Sequence, residues 1–291
     1  MISVFPRSKG LTALLVASVS FGPSALLVRF ATEASVISLT FFRLFIAASV
    51  MFILAFTTSQ LRRLDGRGLV LVIFSGVFLS LHFAAFIFAV KGTTIANATF
   101  LVNTSPVMLA ILSPAVIKER TTTREVLAVL VAMAGVLLVA YAGNGFRLFG
   151  LADLSALLAA FFLAVYSLAG RHLRTGGIST ACYTTYVYST AALVALLMVA
   201  LLGTNTFHPY NTQNLIAIFA LALVPTALGH SLYNYSLGSV KAVTANLFPL
   251  MEPIIASALA VPLFGEIPTA TQIAGYVLIL VAVVIVATNL K

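Results

Sequence analysis

The sequence predicts an all-α integral membrane protein of ten transmembrane helices, arranged as two inverted repeats of five. Three observations support this fold class. The 291 residues are 61% hydrophobic and only 8% charged, whereas a soluble domain normally carries about a quarter charged residues. Runs of roughly 20 apolar residues recur along the whole chain, and a helix needs about this length to cross a bilayer. Finally, proline and glutamate residues of the first half of the chain recur at the same spacing in the second half.

The ten spans are defined by apolar runs between polar breaks. Runs this long are typical of helices and not of the ~10-residue alternating strands of a membrane barrel. The first run begins like a signal peptide, but it continues to Phe30 and is therefore predicted to span. The predicted spans are 10–30, 35–57, 68–90, 94–117, 123–142, 149–170, 179–203, 212–236, 241–264 and 268–289.

Basic residues predict how the chain is oriented. Cytoplasmic loops of membrane proteins are enriched in Lys and Arg, so the more basic set of loops is predicted to face the cytoplasm together with both termini. The predicted inside set is Arg7, Lys9, Arg62, Arg63, Arg67, Lys118, Arg120, Arg124, Arg171, Arg174, Lys241 and Lys291, and the outside set is Arg29, Lys91 and Arg147. Because these residues lie in short gaps between apolar runs, the net charge of +9 does not indicate a nucleic-acid partner.

The two halves repeat at residues 103–119, "NTSPVMLAILSPAVIKE", and 249–266, "PLMEPIIASALAVPLFGE". The matched landmarks, each pair 147 residues apart, are Pro106 with Pro253 and Glu119 with Glu266. We therefore predict a first repeat over 1–143 and a second over 149–291. Five spans are an odd number, so the second repeat enters the membrane inverted. Inverted repeats are typical of carriers that expose a central site to each side in turn.

Four segments resemble the EamA-type branch of the drug/metabolite transporter superfamily, and the resemblance covers essentially the whole chain. They are "LTFFRLFIAA" (39–48), "LHFAAFIFAVKGTTIANATFLVNTSPV" (81–107), "LGHSLYNYSL" (228–237) and "MEPIIASALAVPLFGEIPTATQIAGYVLILVAVVIVA" (251–287). The resemblance implies an exporter or exchanger of small metabolites such as amino acids, purines or drugs. Many relatives carry tryptophan in the first helix of each half and this chain has none, so no aromatic-cage substrate is carried over.

Glu252 is the strongest candidate for function. It lies 11 residues past Lys241, or ~16 Å along a helix, which places it near the bilayer midplane. A charge there costs ~2.5–3.5 kcal/mol and usually faces a cavity or a partner. We interpret Glu252 as a proton-coupling site or as the counter-ion of a substrate ammonium. The alternative is a structural acid, protonated or ion-paired, that holds helices together.

Three prolines, Pro106, Pro249 and Pro253, are predicted hinges near this acid, since each removes a backbone hydrogen-bond donor. A static kink is the alternative. His82 and His230 occupy the third span of each half, and an imidazole titrates in the physiological range. Both are predicted to line the pathway, with a plain interhelical hydrogen bond as the alternative.

Arg43 lies about nine residues into the second span, at ~13 Å depth. We expect it to pair with a carboxylate, for which Glu252 and Asp153 are the candidates. The family resemblance favours a structural or gating role for this arginine.

Polar side chains cluster in the fourth span and around the ninth, and we predict that they line the cavity; interhelical hydrogen bonds are the alternative. They are Asn97, Asn103, Thr104 and Ser105, and Tyr233, Asn234, Thr244 and Asn246. Tyrosines of the sixth and seventh spans, which could stack on a planar or cationic substrate or lie at the membrane interface, are Tyr166, Tyr183, Tyr186 and Tyr188. Spans 5 and 10 carry little that is polar and are predicted to be scaffold or the face of a homodimer.

These features predict a secondary active transporter, an exporter or exchanger of a small polar or amphipathic metabolite such as an amino acid, working by alternating access with protons as a candidate coupling ion. Its partners are the substrate and the lipid bilayer, and short loops favour a prokaryotic cell membrane. A carrier of phosphorylated or nucleotide-linked metabolites would need several cations at membrane depth, and a passive facilitator would need a continuous polar stripe.

The chain lacks HExxH, GxSxG and P-loop motifs, which disfavours an enzyme. The single Cys182 excludes an internal disulfide, and no metal or cofactor is predicted.

Overall fold

The computed structural model describes residues 7–142, 150–264 and 267–288, all of them in helices or their connections. The α-helices are α1 (Arg7–Phe21), α2 (Ser24–Phe30), α3 (Val36–Thr57), α4 (Gly66–Gly92), α5 (Ile95–Val102), α6 (Ser105–Val116), α7 (Thr123–Ala142), α8 (Leu151–Thr175), α9 (Thr180–Leu201), α10 (Thr212–Leu221), α11 (Ser231–Ser236), α12 (Ala242–Leu247), α13 (Glu252–Phe264) and α14 (Ala270–Ala287). A π-helix, Ala222–His230, joins α10 to α11, and a 3₁₀ turn, Pro249–Met251, precedes α13.

These helices form ten segments long and apolar enough to cross a membrane, which confirms the predicted number of spans. Six spans are single helices: α3, α4, α7, α8, α9 and α14. The other four are interrupted: span 1 (α1 and α2), span 4 (α5 and α6), span 8 (α10, the π-helix and α11) and span 9 (α12, the 3₁₀ turn and α13). The predicted landmarks Arg147, Glu266 and Lys291 lie outside the described residues.

Packing between the halves follows an internal pseudo-two-fold symmetry. The α3 helix packs along α9, α7 along α14, and α6 against α12, so spans 2, 5 and 4 each contact their own counterparts. Span 1 packs against span 8, and span 3 packs against span 6. Exchanging the two halves converts the first of these contacts into the second. This arrangement is the one expected of two inverted repeats.

Helices α7 and α14 approach closely enough for their backbones to touch. A Cβ atom added at Gly135 would lie 2.6 Å from the carbonyl oxygen of Gly275, and the reverse distance is also 2.6 Å. Small residues allow such contacts between membrane helices, where dispersion forces are then strongest. The glycines of spans 5 and 10 therefore join the two repeats inside one chain. A homodimer through the outer faces of these helices stays a prediction.

Candidate functional site

Spans 4 and 9 are interrupted at equivalent positions. Helix α6 begins at Ser105 and α13 begins at Glu252, 147 residues later, and each starting residue is followed by a proline. Pro106 and Pro253 thus occupy the first turn of a new helix, where a missing N–H group has no carbonyl to bond. Their predicted role as hinges stays a prediction.

Pro249 causes the break before Glu252. Because it has no N–H group, the Ala245 carbonyl accepts instead from the Phe248 N–H at 3.4 Å, and α12 ends. The Pro249 carbonyl then accepts from the Glu252 N–H, which closes the 3₁₀ turn. Glu252 consequently occupies the first turn of α13, where a carboxylate is stabilised by the helix dipole.

A cavity of ≈ 50 Å³ lies between the interrupted helices and receives side chains from spans 1, 2, 3, 4, 6, 8 and 9. The predicted site residues that line it are Arg43, His82, Asn103, His230, Tyr233, Asn246, Pro249 and Glu252. Its apolar walls include the rings of Phe21, Phe83 and Phe86. We call this space the central cavity.

Four residues of the central cavity hold polar atoms that are buried and without a hydrogen-bond partner. These atoms are Arg43 Nη1, Asn103 Nδ2, His230 Nδ1 and Glu252 Oε1. Leaving a buried polar group unpaired costs about 1–3 kcal/mol, and more for a charged group. Their clustering around one cavity makes this cavity the candidate binding site for a polar ligand.

Arg43 is held by a hydroxyl group and an aromatic ring. Its Nε–H donates to Thr226 Oγ1 at 2.5 Å, and its guanidinium carbon lies 3.8 Å from the centre of the Phe83 ring. It forms no ion pair with Glu252 or Asp153 within 4.0 Å; Asp153 instead accepts from the Gly150 N–H at the start of α8. The expected carboxylate partner of Arg43 is therefore corrected to a hydroxyl and a π face.

The π-helix explains why Thr226 is available to Arg43. Pro225 cannot donate to the carbonyl of Leu221, one helical turn earlier, and the Thr226 hydroxyl donates to that carbonyl instead, at 2.9 Å. The same hydroxyl oxygen accepts from Arg43. The wide turn also lets the Tyr188 hydroxyl donate to the Thr226 carbonyl, at 3.3 Å. Such π segments occur frequently at functional sites.

His82 and His230 meet at the central cavity, with ring centres 6.2 Å apart. The Nδ1 atom of His82 lies 2.9 Å from the Ala159 carbonyl. A carbonyl only accepts, so we assign the proton to this nitrogen. The ring of His230 is flanked by Phe21 and Phe83, each with a centroid distance of 4.9 Å. Corresponding spans of the two halves, spans 3 and 8, thus present imidazoles to the same space.

A hydrogen-bonded chain of side chains adjoins the central cavity. The Ser105 hydroxyl donates to Asn246 Oδ1 at 2.6 Å, and the Asn246 amide donates to the Tyr233 hydroxyl at 2.8 Å. Tyr233 donates to Ser167 Oγ at 2.7 Å, and Ser167 donates to the Leu163 carbonyl at 2.7 Å. This chain connects spans 4, 9, 8 and 6, so a shift in one of them is transmitted to the others.

The bundle has two loop-bearing faces. The basic face comprises the connections 58–65, 117–122, 176–179 and 237–241, and the opposite face comprises 31–35, 93–94, 202–211 and 267–269. A second cavity of ≈ 290 Å³, which we call the vestibule, lies toward the opposite face between α2, α5, α13 and α14. Glu252 lines both the vestibule and the central cavity. Glu252 is therefore shared by the linings of the two spaces.

The basic face carries two ion pairs, Glu119 with Arg171 and Glu125 with Lys241, which we call the ion-pair cluster. The Glu119–Arg171 pair has an N···O distance of 2.9 Å, and Lys241 Nζ lies 3.1 Å from the Glu125 carboxylate. Glu119 also accepts from the Ala242 N–H at 3.1 Å. These contacts tie the connection between spans 4 and 5 to the end of span 6 and the start of span 9.

Residues 8–141 and 150–288 each match the sequence model of the EamA-like transporter family. The chain belongs to this family. The resemblance found in the sequence, and with it membership of the drug/metabolite transporter superfamily, is thereby confirmed. An "Uncharacterized transporter" of Archaeoglobus fulgidus is 29% identical over 279 residues, which cover 95% of each chain. A solved crystal structure aligns over 98% of each chain with a TM-score of 0.80 and 21% identity, which shows the fold alone. The protein is thus a multi-pass membrane transporter with a prokaryotic relative, and its family points to a non-enzymatic role.

Several predicted site residues of this EamA transporter do not line the central cavity in this conformation: Asn97, Ser105, Pro106, Tyr183, Tyr186 and Pro253, together with Thr104, Tyr166, Tyr188, Asn234 and Thr244. The hydroxyl of Tyr183 lies 2.7 Å from Ser75 Oγ, and that of Tyr186 donates to the Arg62 carbonyl at the basic face. Asn97 lies in the first turn of α5, where its N–H donates to Thr94 Oγ1. Position along a span could be predicted for these residues, but the face of the helix that each occupies could not.

Sequence reasoning missed Thr226, Phe21 and Phe83 as members of the site. Serine, threonine and phenylalanine are common throughout the spans, so their presence alone carried no signal. A signal did exist at Pro225, a proline inside an apolar run, which marks a helix irregularity with unpaired backbone groups.

Proposed function

We propose that this EamA-family transporter exports or exchanges a small amphipathic metabolite, such as an amino acid, by alternating access. The observation that carries the proposal is the set of four unpartnered polar atoms around the central cavity. They include hydrogen-bond donors on Arg43 and Asn103 and a carboxylate oxygen on Glu252. Aromatic rings complete the lining.

The chemistry of these atoms fits a zwitterion. Arg43 Nη1 and Asn103 Nδ2 are donors, suited to a carboxylate, whereas Glu252 Oε1 accepts and suits an ammonium group. The rings of Phe21 and Phe83 would contact an apolar side chain. A substrate with both charges would therefore pair three of the four buried groups that now lack a partner, namely those of Arg43, Asn103 and Glu252.

The size of the central cavity supports an alternating-access cycle. At ≈ 50 Å³ it holds a few water molecules, whereas small-molecule sites usually enclose about 300–1,000 Å³. Substrate entry therefore requires helices to move apart. The ion-pair cluster closes the basic face, and the vestibule reaches toward the opposite face. We infer an occluded conformation that next opens to the vestibule, with α6 and α13 moving about the breaks at Pro106, Pro249 and Pro253.

Proton exchange by Glu252 is the coupling step that we propose. Glu252 lines both cavities, so its carboxyl group is placed to exchange a proton with the vestibule and then to meet substrate in the central cavity. Burial makes an unpaired carboxylate costly, which favours a proton or a substrate cation as its partner.

A carrier of phosphorylated metabolites is less well supported. Arg43 is the one Lys or Arg among the described residues that line the central cavity, and a phosphate ester carries about two negative charges. We further propose that the basic face is cytoplasmic and that the protein resides in the cell membrane, following the distribution of Lys and Arg.

The test is solute counterflow in proteoliposomes that contain the purified protein and a panel of labelled amino acids, amines and phosphate esters. We expect counterflow of at least one zwitterionic solute, reduced more than tenfold in Glu252→Gln and in Arg43→Gln. Glu33→Gln is the matched control, because Glu33 is exposed at the opposite face and bonds Asn211. If only phosphate esters exchange, the substrate class is wrong. Full pH-dependent transport by Glu252→Gln would end the proton role.

A further inference from the structure

We propose that the basic face carries a binding site for the phosphate group of an anionic phospholipid. The site is a pocket of ≈ 320 Å³ between the start of α4 and the end of α8. It shares no lining residue with the central cavity, so it is independent of the proposed substrate. We call it the headgroup pocket, and its charged and polar wall is formed by Arg62, Arg63, Asp65, Arg67 and His172.

The charges of the headgroup pocket are not balanced by the protein. Asp65 is its sole carboxylate among the described lining residues, and that group already caps α4 by accepting from the Gly68 N–H at 2.7 Å. Arg62 donates to the Gly177 carbonyl at 3.1 Å. In the described ranges, Arg63 and Arg67 form neither an ion pair nor a hydrogen bond. Two free guanidinium groups beside one cavity favour an anion with several oxygens, and phosphate fits their fork geometry.

The position of the headgroup pocket favours a lipid over a soluble phosphate. Span 3 begins and span 6 ends at the pocket, which places it at the depth of lipid headgroups. Leucine and isoleucine side chains form the rest of its wall, namely Leu64, Leu71, Leu173 and Ile178. Between the pocket residues Gly68 and Leu71 of α4, Leu69 and Val70 are exposed and offer an apolar surface to acyl chains. Basic pockets between membrane helices at this depth bind acidic lipid headgroups.

Lys and Arg also orient membrane proteins, and the experiment must separate this role from binding. An orienting role depends on the number of charges on a face, whereas binding depends on their place in the pocket. We therefore compare Arg63→Gln/Arg67→Gln with Lys9→Gln/Arg120→Gln. Lys9 and Arg120 are exposed, lie on the same face and are absent from the pocket lining.

The measurement is native mass spectrometry of the purified full chain, titrated with phosphatidylglycerol or with phosphatidylcholine of the same chain length. We expect the protein to prefer phosphatidylglycerol and the pocket variant to lose about tenfold or more in affinity, because it removes charge-assisted hydrogen bonds between the guanidinium groups and the phosphate. The control variant should stay within about twofold of the parent protein, because Lys9 and Arg120 do not line the pocket and cannot bond a phosphate held there. Equal loss in both variants, or loss in neither, would overturn the proposal. Inorganic phosphate serves as a competitor in the same titration. Displacement of phosphatidylglycerol by millimolar phosphate would assign the pocket to soluble phosphates instead.

Discussion

Thr226 determines how the charge of Arg43 is kept inside an apolar bundle. Its hydroxyl both replaces the missing N–H of Pro225 and accepts from the guanidinium group. Arg43 is 1% exposed, so bulk water does not reach it, and the Thr226 hydroxyl is its hydrogen-bond acceptor within the protein. One hydroxyl group thus connects the irregular helix of span 8 to the cation of span 2.

We expect Thr226→Val to destabilise the protein by about 1.5–3 kcal/mol, the usual effect of removing a hydrogen bond to a charged group. Thermal unfolding in detergent measures this change. Thr226→Ser should retain most of the stability because it keeps the hydroxyl. Thr184→Val is the matched control, since the Thr184 hydroxyl is buried but bonds only carbonyls of its own helix. If Thr226→Val were no worse than this control, Arg43 would not depend on the hydroxyl.

The residues of the site divide into those that the sequence could reveal and those that it could not. Glu252, His82 and His230 were predictable because ionisable groups in apolar spans are costly and therefore rare. Phe83 was not, since it gains its role only from the guanidinium group stacked on it. The Arg43 partner was missed for a similar reason: a hydroxyl and a ring can replace a carboxylate, but only the tertiary fold brings them together.

At the scale of single elements, Pro249 separates α12 from α13 and so sets the position of Glu252. Proline in a helix interior costs about 3 kcal/mol, so Pro249 is tolerated because the helix is interrupted at this point. The sequence located the prolines of spans 4 and 9 correctly, but a continuous bent helix and two helices joined at a break contain the same residues. Hydrogen bonds such as Phe248 N–H to the Ala245 carbonyl distinguish them.

Pro249→Ala restores the backbone donor and allows α12 to continue. We expect an unfolding temperature equal to or above that of the parent protein and a transport rate lowered by about tenfold or more, since the break would no longer be favoured. Pro114→Ala is the control, because Pro114 lies inside α6 at an exposed position and does not line the central cavity. A transport rate equal to that of the control would show that the break does not limit transport.

The contact between α7 and α14 depends on the absence of side chains at Gly135 and Gly275. An added Cβ at Gly135 meets a backbone oxygen at 2.6 Å, and a backbone cannot rotate away as a side chain can. We expect Gly135→Ala to lower stability by about 1–3 kcal/mol, as overpacking usually does. Gly66→Ala tests whether any added methyl has this effect, because no atom lies within 4 Å of its Cβ position; it should leave the unfolding temperature unchanged.

The pseudo-two-fold symmetry of the bundle is not exact, because counterpart spans of the two halves have different conformations. Spans 1 and 8, which pack together, are both interrupted, whereas their counterparts, spans 6 and 3, are the continuous helices α8 and α4. The two ends of the bundle also differ, because the basic face holds the ion-pair cluster whereas the vestibule lies toward the opposite face. In the proposed alternating-access cycle the two repeats exchange these conformations, and the ion-pair cluster opens.

We expect the ion-pair cluster to hold the basic face closed. Hydrogen bonds to charged groups contribute about 1.5–3 kcal/mol each, so removing both carboxylates of the cluster should raise the population open at the basic face by at least about tenfold. Double electron–electron resonance measures this with spin labels at Arg120 and His172, which are exposed on either side of the cluster, in a Cys182→Ser background. We expect Glu119→Gln/Glu125→Gln to add a population at longer distance. Glu33→Gln, which removes a carboxylate from the opposite face, should leave the distances unchanged. Identical distance distributions in the double variant and the parent would mean that the cluster does not hold this face closed, and the gating would then have to reside in the helix breaks alone.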